Sequence, residues 1–514
     1  DSFTTIRIEH TPIALARNLL TNYGNTSIII ISIILVFPKR GVAMFIGREH
    51  ELNKLQQLYG EDKFQMVVLY GRRRIGKTTL ISKFIEDKPA IFFTAQEAND
   101  VFNLAAFSRK VYRFFGIPDS AGSFSDWNAA LQFIGEKAKE QQFVLAFDEF
   151  PYAAAENLSL KSIFQNAIDH LLKDSRLFLI LCGSQVSFME NEVLGYKSPL
   201  FGRRTAQFKL EGFDYYDAAR MLEGFCDEDK VRLYSCIGGT PHYLAQVNPH
   251  ESFEENIQRL YFDISGYLYN EPMMLLQQEL REPAMYNSII SVIARGASRL
   301  NEIATGISEE SSKVNKYLQT LINLQIVRKV YPFGEDPAGS RRGIYRLADY
   351  CYNFWYRFVF PNRPEIESGN GDLIADSELT PEQLNGYIGK PAFEDICRQY
   401  LNRLNRKKEL PFTATSFGSW WGNDPKAKAQ TDLDVIAANK NQKQILIGEC
   451  KWRPADTLGS SDIASWMSKT HLLPEYTDRY YYCFSKAGFT DSVKSFAEKQ
   501  ERLKLFDLDD LFTL

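Results

Sequence analysis

The sequence predicts an α/β protein whose first large domain contains a parallel sheet covered by helices on both faces. From residue 44 to 270, short apolar segments alternate with amphipathic ones, as in chains that form parallel sheets. Phe143–Phe147 and Leu177–Cys182 are apolar throughout, as expected for central strands buried on both faces. The predicted strands are Gln65–Tyr70, Ala90–Thr94, Phe143–Phe147, Leu177–Cys182 and Thr205–Leu210.

Length and composition indicate a globular protein of several domains. The 514 residues correspond to about three domains of roughly 150 residues each. Hydrophobic residues make up 45% and charged residues 24% of the chain, which excludes disordered and collagen-like proteins. The net charge of −4 excludes a uniformly basic nucleic-acid binder but permits a local basic face. The seven cysteines form no C-x-x-C pair, which fits a cytoplasmic protein without a disulfide framework or zinc knuckle.

Residues 1–43 are predicted to be an extension ahead of a domain that starts at Met44. The apolar run 27–37 is shorter than the ~20 apolar residues that span a bilayer. Lys39 and Arg40 follow the run, whereas a signal peptide carries its positive charge before it. A membrane anchor or export signal is the alternative to a plain extension.

A phosphate-binding loop follows the first predicted strand. Gly71–Thr79 reads G-x-x-x-x-G-K-T-T in the order strand, loop, helix. Two glycines let backbone N–H groups face a phosphate, and the helix adds the positive end of its dipole. Lys77 is expected to reach the β- and γ-phosphates and Thr78 to bind Mg²⁺. The pattern predicts the fold of a P-loop NTPase with a nucleoside triphosphate, expected to be ATP, and Mg²⁺ as cofactors. The predicted nucleotide contacts are Gly71, Arg72, Arg73, Arg74, Ile75, Gly76, Lys77, Thr78 and Thr79.

Further candidate catalytic residues follow later strands of the same sheet. Asp148 would hold Mg²⁺, and Glu149 would polarise the attacking water as a general base. Ser184 is a candidate γ-phosphate sensor, with a simple turn as the alternative. Arg203 or Arg204 could stabilise phosphoryl charge as an arginine finger, and a structural ion pair is the alternative for either.

Residues 271–362 predict three helices and then a two-stranded hairpin, the outline of a winged-helix domain. The helices are Tyr286–Ile293, Arg299–Thr305 and Ser311–Leu324, and the strands are Ile326–Tyr331 and Gly343–Leu347. Side chains that could face DNA are Ser311, Ser312, Lys313, Asn315, Lys316, Gln319, Arg328, Lys329, Arg341 and Arg342. Glu309 and Glu310 at the start of the last helix suit its dipole rather than DNA, so a packing or lid role stays open.

The remaining chain is expected to be a linker, 363–385, and a separate α/β domain, 386–514. The linker is predicted from a segment that is rich in the turn-forming residues Pro, Gly, Asn, Asp and Ser. The predicted elements of the last domain are the helix Gly389–Leu404 and the strands Asp432–Ala437, Gln444–Lys451 and Tyr480–Phe484.

A second group of candidate catalytic residues lies on these strands. Glu449 and Lys451 share one face of a strand, and hairpin pairing would bring Asp434 beside them. Asp434 and Glu449 could bind a divalent metal while Lys451 stabilises charge, as phosphodiester hydrolysis requires. Glu394 could join from the helix. Nearby basic residues favour this interpretation over an ordinary hairpin: Arg403, Arg406, Lys407, Lys408, Lys426 and Lys428.

Six ordered motifs resemble the archaeal-type ATPase family in the signal-transduction (STAND) branch of AAA+-related P-loop ATPases, across residues 45–362. They are Phe45–Leu52, Gly71–Thr78, Phe147–Phe150, Leu181–Ser184, Pro199–Arg203 and Gly238–Pro241. The resemblance implies that Phe45–Leu52 lies by the adenine. It also implies that the turn ending at Pro241 belongs to a helical lid and contacts the nucleotide. A homo-oligomer formed through the ATPase domain is a further expectation.

The last domain resembles the PD-(D/E)XK nuclease superfamily, whose fold is that of restriction endonucleases, and the domain of unknown function often fused to these ATPases. Glu394, Asp434, Glu449 and Lys451 carry the resemblance, although Leu433 stands where a proline often precedes the aspartate. The predicted function is a Mg²⁺-dependent ATPase coupled to a nuclease-like domain that acts on or binds nucleic acid, DNA being the expected partner. The alternative is a nucleotide-gated regulatory protein whose nuclease fold is catalytically inert.

Overall fold

The computed structural model describes residues 45–280, 282–453 and 459–513, and the predicted extension 1–43 lies outside them. The described residues from Ile46 onward belong to one compact unit. Within the described ranges, no helix combines the length and the apolar character needed to cross a bilayer.

A five-stranded parallel sheet forms the centre of the ATPase domain, which confirms the predicted fold class. Its strand order is β2-β3-β4-β1-β5. The strands are β1 Gln65–Tyr70, β2 Ala90–Thr94, β3 Phe143–Asp148, β4 Leu177–Gly183 and β5 Ala206–Lys209. Every residue of β1, β3 and β4 is buried. The carboxyl ends of these three strands meet at one edge, where ligands bind in open parallel sheets.

Helices pack against this sheet and continue into a helical region after it. Phe107 and Phe164 on two of them join the buried core of the sheet. The first helices are α1 Glu49–Tyr59, α2 Lys77–Ile85, α3 Asp100–Phe114, α4 Trp127–Glu140, α5 Phe150–Glu156, α6 Leu160–His170 and α7 Val186–Phe188. The helices after β5 are α8 Tyr215–Met221, α9 Asp227–Ile237, α10 Pro241–Leu244 and α11 Phe253–Ile257.

The middle block contains the helices and the antiparallel hairpin that the sequence predicts. Its helices are α12 Glu271–Glu279, α13 Pro283–Ala294, α14 Leu300–Gly306 and α15 Ser311–Asn323. The hairpin consists of β6 Val327–Val330 and β7 Ile344–Leu347, and α16 Tyr350–Phe354 follows it.

Two arginines of the hairpin block that were candidates for DNA contact instead contact the C-terminal domain. Arg328 forms an ion pair with Asp395. Arg342 donates to the backbone carbonyl of Trp421 and lies over the ring of Trp420. These contacts agree with the packing role that the sequence left open for this block.

The expected linker 363–385 is helical, so this prediction is wrong. It contains α17 Arg363–Glu365, α18 Gly371–Glu378 and α19 Pro381–Tyr387. Ile366, Leu384 and Tyr387 are buried in the main apolar core. Thr380 caps α19 by accepting from the backbone N–H of Gln383. The Pro- and Gly-rich composition marks helix ends here rather than an unstructured connection.

The C-terminal domain is a mixed five-stranded sheet with flanking helices. Its strand order is β12-β11-β10-β9-β8, antiparallel from β8 to β10 and parallel from β10 to β12. The strands are β8 Ser416–Asp424, β9 Ala429–Asn439, β10 Gln444–Lys451, β11 Asp478–Ser485 and β12 Leu503–Phe506. The helices are α20 Glu394–Lys407, α21 Ser460–Met467, α22 Asp491–Glu498 and α23 Leu508–Phe512. The sequence did not reveal β8, rich in Gly and Ser, or the four-residue β12.

Buried contacts join this domain to the helical region after β5. The hydroxyl of Tyr215 donates to the carbonyl of Leu511 at 2.5 Å. Arg403, one of the basic residues that favoured the nuclease interpretation, forms ion pairs with Asp214 and Asp217 of the helical region. One apolar core runs through both regions, so the two are packed together rather than tethered.

Candidate nucleotide site and carboxylate cluster

The phosphate loop has the backbone geometry that its glycines predict. Gly71 has φ +150°, and a Cβ at this position would lie 2.3 Å from the carbonyl oxygen of Leu210. Gly76, at φ +87°, precedes α2. Both conformations favour glycine. Lys77 is buried, and its Nζ donates to the carbonyl oxygens of Gly71 and Arg72, each at 2.9 Å. Burial lowers the pKa of Lys77, although Glu149 and Asp148 oppose this effect.

The acidic residues after β3 lie beside the loop. The Thr78 hydroxyl donates to Asp148 at 3.4 Å, so both predicted Mg²⁺ ligands are adjacent. Glu149 follows Asp148, and its Oε2 accepts from the Ser184 N–H at 3.1 Å and hydroxyl at 2.8 Å. Ser184, directly after β4, thus contacts the Glu149 carboxylate, and its role as a γ-phosphate sensor stays a prediction.

Each of the three arginines inside the loop contacts a residue of the middle block, and Arg73 also contacts α5. Three of the four variable loop positions thus have a partner far along the chain. The contacts are Arg72 with Asp349 at 3.0 Å, Arg73 with Gln278 and Tyr152 at 2.5 Å each, and Arg74 with Glu271 at 2.7 Å. Burial raises the pKa of Glu271, and the arginines at positions 72 and 74 oppose this shift.

A cavity of about 660 Å³ opens beside the loop. Arg72, Ile75, Phe213 and Thr240 line it. This volume is in the range of small-molecule sites in proteins. A Cβ built on Gly76 would lie 4.0 Å from the ring of Pro241, which places the predicted lid turn against the loop.

Arg48 is a structural contributor to this region that the sequence analysis did not single out. Its guanidinium donates to the carbonyl oxygens of Ile75, at 3.3 Å, and Glu211. It also lies over the ring of Phe213, 4.9 Å from the centroid. Arg48 thus braces the phosphate loop against the segment after β5, and it belongs to the segment expected by the adenine.

Arg203 forms a structural ion pair, which the sequence analysis left open as the alternative to an arginine finger. Its guanidinium pairs with Asp169 through two hydrogen bonds of 2.8 and 2.6 Å. It also donates to the carbonyl of Pro199 at 2.8 Å. These contacts hold Arg203 against the end of α6.

The structure brings the predicted carboxylates of the C-terminal domain together. The register of β9 and β10 pairs Val435 with Gly448, so Asp434 and Glu449 are neighbours. The N–H of Cys450 donates to Asp434 at 2.9 Å. Lys451 contacts Glu449 at 2.5 Å. Glu394, Asp434 and Glu449 are called the carboxylate cluster below.

A second lysine, not predicted from the sequence, also contacts the cluster. Lys390 lies 3.2 Å from Glu394 and 2.5 Å from Asp432. Burial, together with the charges of Glu449 and Glu394, raises the pKa of Asp434 to about 7. Burial also raises the pKa of Glu394. The carboxylates thus repel one another and the lysines partly neutralise them.

No group of three acidic, histidine or cysteine side chains is arranged to hold a metal ion in the part of the chain that the structure describes. The donor chemistry of the cluster still suits a divalent cation, because carboxylate oxygens are the preferred ligands of Mg²⁺. A metal would compete with Lys390 and Lys451 for the same oxygen atoms.

Two families match the chain in separate segments. Residues 45–247 match an ATPase domain found predominantly in Archaea. Residues 355–463 match a family of archaeal and bacterial proteins of unknown function.

Relatives of known sequence extend these matches. An uncharacterized protein of Methanocaldococcus jannaschii is 31% identical over 91% of this chain and 100% of its own length. An uncharacterized ATP-binding protein of the same organism is 23% identical over 46% of this chain and 81% of its own. The crystal structure of a STAND protein with a tetratricopeptide repeat sensor from Pyrococcus horikoshii aligns with 71% of this chain and 51% of that one, with a TM-score of 0.29 and 16% identity. The chain belongs to the family of archaeal-type ATPases that carry the C-terminal domain of unknown function.

Proposed function

We propose that the protein hydrolyses ATP with Mg²⁺ at the phosphate loop. The observation that carries this proposal is the meeting of Lys77, Thr78, Asp148, Glu149 and Ser184 at one edge of the parallel sheet. Lys77 would exchange its loop carbonyls for phosphate oxygens. Thr78 and Asp148 would hold Mg²⁺, which neutralises phosphate charge.

Glu149 is the general base in this proposal. Its carboxylate is fixed by two hydrogen bonds from Ser184, so it is oriented before the substrate arrives. A base held in place at the reacting water lowers the barrier by removing a proton as the bond forms.

ATP turnover by the Lys77→Ala variant tests this proposal. We expect turnover to fall by at least ~100-fold, since Lys77 would stabilise the transferred charge. Lys83→Ala is the matched control, because Lys83 lies on the same helix and pairs with Glu86 at the surface. Turnover in Lys77→Ala equal to that of the control would refute the assignment of the site.

We further propose that the carboxylate cluster acts on the phosphodiester backbone of a nucleic acid. Three mutually repelling carboxylates with two lysines, Lys390 and Lys451, support this function. The carboxylates would bind Mg²⁺, and a lysine would stabilise the developing charge. The second candidate is a nucleotide-gated regulatory protein whose nuclease fold is inert, and it is favoured because no three acidic, histidine or cysteine side chains among the described residues are arranged to hold a metal ion.

Cleavage of plasmid and linear DNA with Mg²⁺ or Mn²⁺, with and without ATP, separates the two candidates. The test variant is Asp434→Asn combined with Glu449→Gln. Glu475→Gln, an exposed carboxylate of the same domain, is the control. Cleavage that only the double variant loses supports the nuclease. DNA binding without cleavage by the unmodified protein supports the inert domain.

A further inference from the structure

We propose that Asp349 and Tyr350 couple the phosphate loop to the carboxylate cluster, so that nucleotide binding shifts the first turn of α20 and with it Glu394. This inference rests on the proposed function of the loop as a nucleotide site. The two residues are adjacent in sequence at the start of α16, yet they contact different sites.

The loop side of this connection involves both the backbone and the side chain of Arg72. Its carbonyl oxygen accepts from Lys77, and its guanidinium donates to Asp349 at 3.0 Å. When Lys77 turns to a phosphate, the Arg72 carbonyl loses that donor and the loop backbone must adjust. The side chain of Arg72 transmits the adjustment to Asp349, which also caps α16 by accepting from the N–H of Cys351 at 2.8 Å.

The cluster side depends on Tyr350 and Asp395. The Tyr350 hydroxyl donates to Asp395 at 2.7 Å, and both side chains are buried. Asp395 also pairs with Arg328 of the hairpin and Arg398 of α20. It directly follows Glu394 in the first turn of α20. A displacement of the Tyr350 hydroxyl therefore acts on a residue adjacent to the cluster, although Asp395 is not itself a member of it.

The cavity beside the loop gives a second, independent reason for coupling. Arg72, Arg328, Asp349, Tyr350 and Asp395 all line it. A ligand in this cavity would contact both ends of the connection at once. An unpaired charge inside a protein is costly, so the members of such a buried network keep their partners and a shift of one member displaces the next.

Hydrogen exchange of the full-length protein at the first turns of α20 tests the proposal. The exchange rates are compared with and without a non-hydrolysable ATP analogue and Mg²⁺. We expect the analogue to change these rates about fivefold or more in the unmodified protein, the usual lower range of coupling between sites. Tyr350→Phe should still bind the analogue but lose most of this response. Asp349→Asn weakens the contact with Arg72 at the other end, lies outside the phosphate loop and should lose the response as well, which provides a second test if Tyr350→Phe does not fold.

Tyr269→Phe is the matched control. Tyr269 is also buried, and its hydroxyl donates to Glu367 at 2.9 Å rather than to a residue of α16 or α20. Its response should equal that of the unmodified protein. The proposal is overturned if the analogue binds without changing exchange in α20, or if Tyr350→Phe responds like the control.

The outcomes for the two proposals are distinguishable. The change in exchange rate depends on binding of the analogue but on neither ATP hydrolysis nor DNA cleavage. If the unmodified protein does not turn over ATP but shows the exchange response, the ATPase proposal alone is refuted. Failure of the analogue to bind would refute both.

Discussion

The phosphate loop and the carboxylate cluster each hold lysines against oxygen atoms, but the oxygens differ in charge. Lys77 donates to two neutral carbonyls of its own loop. Lys390 and Lys451 contact the carboxylates of Glu394 and Glu449. A phosphate at the loop would therefore replace neutral carbonyl oxygens as the partners of Lys77, whereas a metal ion at the cluster would have to displace lysines from charged carboxylates. Lys77 can thus exchange its partners without breaking an ion pair, whereas the carboxylates of the cluster are already paired with lysines.

The largest expected effect is at Glu149. Glu149→Gln keeps the shape of the side chain and can still meet Ser184, but it cannot accept a proton. We expect ATP turnover to fall ~10²–10⁴-fold, the usual contribution of a general base. Nucleotide affinity, measured by calorimetry, should stay within about threefold because an amide can replace the hydrogen-bonding role alone. A loss of affinity equal to the loss of turnover would show that Glu149 serves binding instead.

The charge difference between the sites predicts a pH effect at Asp434. Its pKa is raised from an ordinary value of 3.8 to about 7, so the folded, metal-free protein binds a proton between these values that the unfolded chain does not. Stability from this group is present below pH 4 and is lost as pH rises to 7. Asp434→Asn removes the effect.

Urea unfolding of chelator-treated protein at pH 5 and pH 8 measures this difference. Relative to the unmodified protein, Asp434→Asn should gain stability on the order of 3 kcal/mol at the higher pH. Saturating Mn²⁺ should restore the stability of the unmodified protein at pH 8, since a ligand that binds the folded state stabilises it. An equal difference at both pH values would contradict the raised pKa.

Ser184→Ala tests, with a smaller expected effect, whether the Ser184 hydroxyl orients Glu149 for catalysis. It removes one of the two hydrogen bonds to Glu149 and leaves the one from the backbone N–H. We expect turnover to fall about tenfold, since one hydrogen bond to a charged group contributes roughly 1.5 kcal/mol. Ser184→Thr, which keeps the hydroxyl, should recover most of the activity. Failure of Thr to recover it would mean that the hydroxyl does not position Glu149.

The two sites also differ in how much of them the sequence could predict. The loop, Asp148 and Glu149 are contiguous with buried strands, so local pattern is sufficient to find them. Arg72–Asp349 and Arg328–Asp395 join residues far apart in sequence, and only the packing of the helices brings them together. The contact of Lys390 with the carboxylate cluster could not be predicted from the sequence, because a single lysine before a helix is usually a solvated surface residue. The helices of 363–385 were missed because their turn-forming residues mark helix ends.

Arg203 has the smallest expected effect on activity. The side chains of Arg203 and Asp169 are both partly exposed to solvent, which weakens their ion pair. Arg203→Ala should therefore cost about 1 kcal/mol of stability. Asp169→Asn should cost a similar amount, and the double variant little more, because both remove the same pair. Turnover should stay within about threefold in all three variants. A drop of ~10³-fold or more in Arg203→Ala, with Asp169→Asn unaffected, would instead make Arg203 a finger that leaves Asp169 to reach a nucleotide.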